Sequence, residues 1–149
     1  MKKLLIPSIF FVLLISFSFA QKPYKVVFYN LENFFDTIND PEVLDDEFTP
    51  DGPKKWNTAK YNKKLNNTER VLFDIAAIDK NYPIVIGVSE VETRGVLEDI
   101  VATPKLAPAN YRIAHFDSPE ARGVDVAFLY RPDVFKIEGQ YPVKTVIPS

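Results

Sequence analysis

Two short segments of the chain place carboxylate and amide side chains directly after apolar runs. Asn30 and Glu32 follow the run at residues 24–29, and Glu90 follows the strongly apolar run at residues 84–88. A carboxylate beside a low-dielectric core is costly unless its charge is compensated. At Glu90 a divalent cation would compensate it. A solvent-exposed position just past a strand, or an ion pair with an arginine, would do so as well, and the spacing alone leaves these alternatives open.

The composition restricts which metal such a site could hold. The chain has no cysteine and one histidine, His115, which excludes thiolate nucleophiles, Cys-based zinc sites and most zinc hydrolase patterns. Ligands would therefore be oxygens of Asp, Glu or Asn, which favour Mg²⁺, Ca²⁺ or Mn²⁺. The formal charge is −2, whereas proteins that bind nucleic acid by bulk electrostatics are clearly basic. A phosphate-bearing substrate would thus need a local site in which a metal supplies the positive charge.

The elements that must position these residues follow from hydrophobic periodicity. Residues 24–29 resemble a strand buried on both faces, and residues 58–79 form an amphipathic helix with Tyr61, Leu65 and Leu72 on its apolar face. The remaining predicted elements are a strand at 84–88, a helix at 94–102 capped by Thr93, strands at 111–116 and 124–130, and an edge hairpin at 134–137 and 141–147. This order indicates an α/β or α+β fold, a mixed sheet with outer helices.

The helix at 58–79 is long enough to connect two parallel strands. The carboxyl ends of those strands would then meet at one edge of the sheet, where binding sites in such folds collect. We therefore expect Asn30, Glu32 and Glu90 to lie close together.

Two charged surfaces flank this predicted edge. Residues 36–57 form an acidic loop interrupted by proline and glycine, which we interpret as a solvated loop, with metal binding or substrate gating as the alternative. The predicted helix carries Lys63, Lys64, Asn67 and Arg70 off its apolar face. Solvated helix charge is the simpler interpretation of these residues, and contact with phosphates is the alternative.

The first 20 residues have the pattern of a secretory signal peptide. Lys2 and Lys3 precede an apolar stretch, and small residues end it at Ala20. The stretch is short for a membrane span, so we favour cleavage after Ala20 over an uncleaved anchor. This predicts a secreted or periplasmic bacterial protein with no stable membrane span after cleavage. Residues 21–149 would form one domain.

Three segments together resemble the endonuclease/exonuclease/phosphatase family in its secreted bacterial form. Residues 28–36 (FYNLENFFD) are similar to its opening motif, residues 88–92 (VSEVE) to its metal-binding motif, and residues 122–132 (RGVDVAFLYRP) to its third motif. The loop segment 45–50 fits as well, and the resemblance extends from about residue 24 to 132. It implies the N-terminal half of a four-layered α/β sandwich and hydrolysis of phosphoesters: nucleic acid, sugar phosphate or lipid head group.

The resemblance also implies roles for individual residues. Glu90 would bind Mg²⁺ or Mn²⁺, and Glu32 would support the metal directly or through water. Asn30 would orient the metal or the scissile phosphate. Arg122 matches a basic residue near the substrate phosphate, with a structural salt bridge to the acidic loop as the alternative. Asp117 would line the cleft.

Two further motifs of the family, a Gly-Asp-x-Asn segment and an Asp-His pair, are not found in these residues. His115 precedes the third motif and is expected to be structural. We therefore expect a C-terminally incomplete domain, with an uncovered apolar sheet face and little phosphoesterase activity by itself. The alternative function is a non-catalytic secreted binding module that kept the fold and lost catalysis.

Overall fold

A computed structural model describes residues 23–143, which form a four-stranded sheet with two α-helices. The proposed signal peptide at residues 1–20 lies outside the described residues. In chain order the elements are β1 (Val26–Phe34), a 3₁₀ turn (Asp46–Phe48), α1 (Thr58–Ala77), β2 (Val85–Val91), α2 (Arg94–Ala102), a second 3₁₀ turn (Ala107–Ala109), β3 (Arg112–His115) and β4 (Asp125–Tyr130). Both helices begin at capped positions, since Asn57 and Thr93 each accept a hydrogen bond from a backbone N–H of the first turn. The cap at Thr93 was predicted from the sequence.

The sheet is mixed, with strand order β1-β2-β4-β3. β1 and β2 are parallel and are connected through α1, whereas β4 is antiparallel to both of its neighbours. The predicted parallel pair and the α+β class are therefore confirmed. The carboxyl ends of β1 and β2 lie side by side, as the position of the candidate residues requires.

The two parallel strands are irregular at this edge. Asn30 pairs with Ser89 and the next pair is Phe34 with Val91, so β1 advances four residues while β2 advances two. Three residues in this stretch have left-handed backbone angles: φ is 55° at Glu32, 58° at Asn33 and 58° at Glu90. β1 consequently continues past its predicted end at residue 29, through a bulge that periodicity does not reveal.

The core lies on one face of the sheet. Ile86 and Val88 of β2 and Leu129 of β4 point to this face and are fully buried. Helix α1 covers them with Leu72, and α2 covers them with Leu97. The helices therefore hold the sheet, and its carboxyl edge, from one side.

The opposite face of the sheet is apolar and exposed within residues 23–143. Val26 is 67% exposed, Phe28 70%, Val126 65% and Phe128 55%. The prediction that residues 24–29 are buried on both faces is wrong for the described chain, because both helices pack on the other face. Gly87 lies between the two phenylalanines, and a Cβ there would be 3.0 Å from the Phe28 ring. The expected uncovered face is thus present.

The predicted edge hairpin is also not found where the structure describes it. Residues 131–143 contain no strand, and residues 144–149 lie outside the described chain. After β4 the chain turns instead, since the carbonyl of Arg131 accepts hydrogen bonds from Val134 and Phe135. Pro132, Gly139 and Pro142 further disfavour a paired strand here. No helix within residues 23–143 is long and apolar enough to cross a membrane.

The two sides of β4 should respond differently to truncation. Leu129→Ala should lower the free energy of unfolding by about 2–5 kcal/mol, because it leaves a cavity in the core. Phe128→Thr, one residue away on the exposed face, should change it by less than about 1 kcal/mol and should reduce binding of the dye ANS. Urea denaturation and dye fluorescence measure both effects. Equal loss of stability in the two variants would contradict the one-sided core.

Candidate metal and phosphoester site

The partly buried carboxylate of Glu90 is held by two donors from β1. The side-chain amide of Asn30 donates to Oε1 at 3.2 Å, and the backbone N–H of Asn33 donates to Oε2 at 3.0 Å. Each oxygen thus has one identified protein partner and retains lone-pair capacity for a further ligand. Of the alternatives left open by the sequence, an arginine ion pair does not account for Glu90, because both of its hydrogen-bond partners are amides.

The local backbone explains why Asn33 can reach Glu90. The side-chain oxygen of Asn30 accepts the backbone N–H of Glu32 at 2.7 Å, closing a short turn at the start of the bulge. The chain then passes through left-handed angles at Glu32 and Asn33, which turns the N–H of Asn33 towards β2. Left-handed angles are unfavourable for residues other than glycine and recur at functional sites. Asn30 therefore both shapes the bulge and binds Glu90.

Lys64 of α1 fastens the bulge from the other side. Its ammonium group donates to the carbonyl of Glu32 at 2.6 Å and to that of Asn33 at 3.2 Å. It also lies 5.4 Å from the centre of the Phe34 ring and 5.7 Å from that of Trp56. Burial lowers the pKa of Lys64, and the charges of Glu32 and Glu90 oppose that shift. The interpretation of the helix charges as solvated is therefore wrong for Lys64.

Arg122 reaches the same edge from the loop before β4. Its Nε donates to Glu120 at 2.9 Å, and one terminal nitrogen donates to the side-chain oxygen of Asn33 at 3.2 Å. The hydrogen bond to Glu120 raises the pKa of the Arg122 guanidinium. The structural salt bridge proposed from the sequence thus exists, but with Glu120 rather than with the acidic loop. Through Asn33, Arg122 is brought next to Glu90.

The acidic loop is anchored to the site by two buried carboxyl groups. Asp45 is 1% exposed and Glu92 is 7% exposed. Glu92 accepts the backbone N–H of Asp36 at 2.6 Å, and the carboxyl group of Asp45 lies close to its own. Burial is the main cause that raises the pKa of Glu92 to about 8, and the neighbouring charges of Asp36 and Asp45 raise it further. The loop is therefore solvated along most of its length but not at Asp45.

His115 and Asp117 belong to a separate cluster at the start of β4. The ring Nε2 of His115 lies 3.1 Å from Asp125, and both side chains are 3% exposed. Asp125 also accepts the backbone N–H of Ser118 at 2.7 Å. Ligand atoms of His115, Asp117 and Asp125 lie within 4.8 Å of one another. The structure thus places Asp117 beside His115 and Asp125. Asp125 pairs with Val91, the residue that follows Glu90 in β2.

Among the site residues predicted from the sequence, Asn30, Glu90 and Arg122 share direct contacts with each other or with Asn33. The exposed side chain of Glu32 lies on the groove between β1 and α1, which Asn30 also lines. In residues 23–143, neither Glu90 nor Glu32 belongs to a group of three close acidic or histidine ligands. A divalent ion at Glu90 would therefore need further oxygen ligands besides these side chains.

Sequence reasoning missed Lys64 as a support of the bulge, and Glu92 and Asp45 as loop anchors. The sequence held one signal for Glu92: like Glu90, it is a glutamate that comes shortly after the apolar strand at 84–88. For Asp45 no local pattern distinguishes it from its exposed neighbours, Asp46 and Glu47.

Comparisons with known proteins support one family. The model of the endonuclease/exonuclease/phosphatase family matches residues 25–149. No curated protein and no solved structure matches the chain.

The buried Glu92 predicts a pH-dependent stability. Its pKa rises from 4.5 in the unfolded chain to about 8 in the folded one, so its stabilising contribution is complete below about pH 4.5 and is lost as pH rises through 8. Glu92→Gln keeps an oxygen for the Asp36 N–H. At pH 8.5 in EDTA the variant should exceed the wild type in free energy of unfolding by on the order of 1–3 kcal/mol. At pH 5 the free energies of unfolding of the variant and the wild type, measured by urea titration, should nearly coincide. A difference between them that is the same at pH 5 and at pH 8.5 would contradict the assignment.

Removing the Lys64 ammonium should loosen the bulge. Lys64→Met keeps the length of the side chain but leaves the carbonyls of Glu32 and Asn33 without their donor, at a cost of about 1–3 kcal/mol in the free energy of unfolding. Lys63→Met, at the next and exposed position, should change it by no more than about 0.5 kcal/mol. Chemical denaturation measures both, and Lys64→Arg should recover part of the loss. Similar losses at positions 63 and 64 would argue against a bulge-specific role.

Proposed function

Since the chain belongs to the endonuclease/exonuclease/phosphatase family, we propose that it is a Mg²⁺-dependent hydrolase of phosphate esters whose metal ligand is Glu90. The observation that carries this proposal is the placement of Glu90. Its carboxylate lies at the carboxyl edge of two parallel strands and is held by Asn30 and Asn33. Mn²⁺ has the same preference for oxygen ligands and would serve in its place.

The side chains around Glu90 have different proposed roles in binding the metal and the substrate. Asn30 orients the carboxylate so that it faces a ligand, and Glu32 supports the metal through water. Arg122, charged and exposed beside Asn33, is positioned to neutralise a phosphoryl oxygen of the substrate. A bound divalent ion would supply charge neutralisation at the phosphoryl oxygens and at the leaving oxygen.

The proposed substrate is a phosphoester bound at a local positive site. The chain as a whole carries a formal charge of −2, so its attraction for a phosphate must come from Arg122, the lysines of α1 and the metal. Nucleic acids, sugar phosphates and lipid head groups all present such a group. We further propose, from residues 1–20, that the protein acts in the bacterial periplasm or outside the cell.

A non-catalytic binding module was the alternative function. Nothing in the geometry of the site favours it, because the hydrogen bonds around Glu90 leave the carboxylate able to ligate an ion. Metal binding separates the two hypotheses without requiring turnover.

Mg²⁺ should stabilise the protein through Glu90. At a hundredfold excess over its dissociation constant, a ligand that binds only the folded state adds about 2.7 kcal/mol, so the melting temperature should rise by several degrees. The rise should be absent in Glu90→Gln, which keeps the shape of the side chain but loses its charge. Thermal denaturation with and without MgCl₂ measures the effect.

Glu98→Gln is the matched control, because Glu98 is an exposed glutamate of α2 that pairs with Arg94. It should retain the full Mg²⁺ response. A response that persists in Glu90→Gln, or that is missing in the wild type, would refute Glu90 as the metal ligand.

A further inference from the structure

A groove of about 430 Å³ runs between the bulge of β1 and the first half of α1. Asn30 and Glu32 form one wall, so the groove begins at the candidate metal site. The opposite wall belongs to α1 and consists of polar and basic side chains: Lys60, Lys63, Lys64, Asn67 and Thr68. Anything bound at Glu90 therefore has access to the lysines of α1.

The charge of this groove is opposite to that of the chain. Its charged lining residues are three lysines and one carboxylate, that of Glu32, while the whole chain has a formal charge of −2. Lys60, Lys63, Lys64 and Asn67 follow the three- and four-residue spacing that places side chains on one face of a helix. A surface with this local excess attracts anions.

The lysines also oppose the local preferences of the helix. Like charges three or four residues apart destabilise a helix, and cations are unfavourable near its N-terminus. Helix α1 begins at Thr58, has no acidic residue in its first turn, and reaches its first carboxylate only at Glu69. A bound anion would relieve both effects. Departures from local rules of this kind are expected at functional sites.

The three lysine ammonium groups differ in the hydrogen bonds that they already donate within the protein. Lys64 is committed to the carbonyls of Glu32 and Asn33, and Lys60 donates to the carbonyl of Lys54 at 2.5 Å. Lys63 is exposed at the surface of the groove. Each ammonium has three donor hydrogens, so Lys60 retains donors while Lys63 can approach a ligand freely.

From these observations we infer that the groove is a subsite for a second phosphate group of the substrate, bound beside the one that is hydrolysed. The inference rests on the proposed phosphoesterase function and narrows it, because an uncharged substituent would gain little from three lysines. The second phosphate could belong to a neighbouring nucleotide of a nucleic acid strand or to a small polyphosphorylated ester. Both present the same chemistry to Lys60 and Lys63.

The test measures binding in EDTA, so that it does not depend on the metal. Isothermal titration of the full-length protein with inorganic pyrophosphate, and separately with a thymidine pentanucleotide, gives the dissociation constants. Lys63→Ala should weaken binding about tenfold, the loss expected for one charge-assisted contact. Arg70→Ala is the matched control, since Arg70 is an exposed cation of the same helix outside the groove. It should leave the dissociation constant unchanged, and added salt should weaken wild-type binding.

The two probes distinguish the sources of the second phosphate. A loss in Lys63→Ala confined to pyrophosphate supports a small polyphosphorylated ester, and a loss confined to the pentanucleotide supports a nucleic acid strand. Equal weakening by Lys63→Ala and Arg70→Ala, or no binding of either probe, overturns the subsite. Glu90→Gln should still bind the probes in EDTA. If the wild type shows no Mg²⁺ response but still binds the probes in EDTA, the metal proposal has failed and the subsite has not.

Discussion

The hydrogen bonds that hold the Glu90 carboxylate are the interaction on which the site depends. They join the ends of two parallel strands, since one donor is the side chain of Asn30 and the other is the backbone of Asn33. For Asn33 to reach Glu90, the chain must adopt left-handed angles that cost free energy. That cost is offset by Lys64, which binds the carbonyls exposed by the bulge. A regular strand would carry the same residues and present them differently.

The loops around this edge are fixed by contacts at, or just past, the ends of β1 and β2. Glu92, two residues after Glu90, binds the start of the acidic loop at Asp36 and meets Asp45 farther along it. Trp56 closes the other end of the loop by donating to the carbonyl of Phe35 at 3.0 Å. Arg122 is set by Glu120 and Asn33 in a comparable way. The site is thus built on the ends of β1 and β2, and Arg122 is added to it from the loop before β4.

The distribution of apolar residues gives the sheet two distinct faces. Helices α1 and α2 bury Ile86, Val88 and Leu129, whereas Phe28 and Phe128 stay exposed on the other face. Because α1 lies on the covered face, its lysines reach the carboxyl edge beside Asn30 and Glu32. The packing that forms the core therefore also supplies the positive charge next to the candidate metal site.

Much of this arrangement could be predicted from the sequence. Local patterns give the two helices, the cap at Thr93, the four strands, and the convergence of Asn30 and Glu90. Periodicity reports which residues can be buried, and a crossover helix requires a parallel pair of strands. The three family-like motifs indicated the family that the match to residues 25–149 supports.

Only the tertiary structure decided the rest, because it depends on contacts between residues far apart in sequence. Lys64 and Lys63 are adjacent and chemically identical, yet one is bound to the bulge and the other is exposed. Asp45 is buried and Asp46 is not, since only Asp45 meets Glu92. The strand predicted at 24–29 continues to Phe34 because hydrogen bonds with β2 and α1 compensate for its irregular backbone. The residue types determined which contacts each side chain could make. Packing between distant parts of the chain determined which of those contacts form.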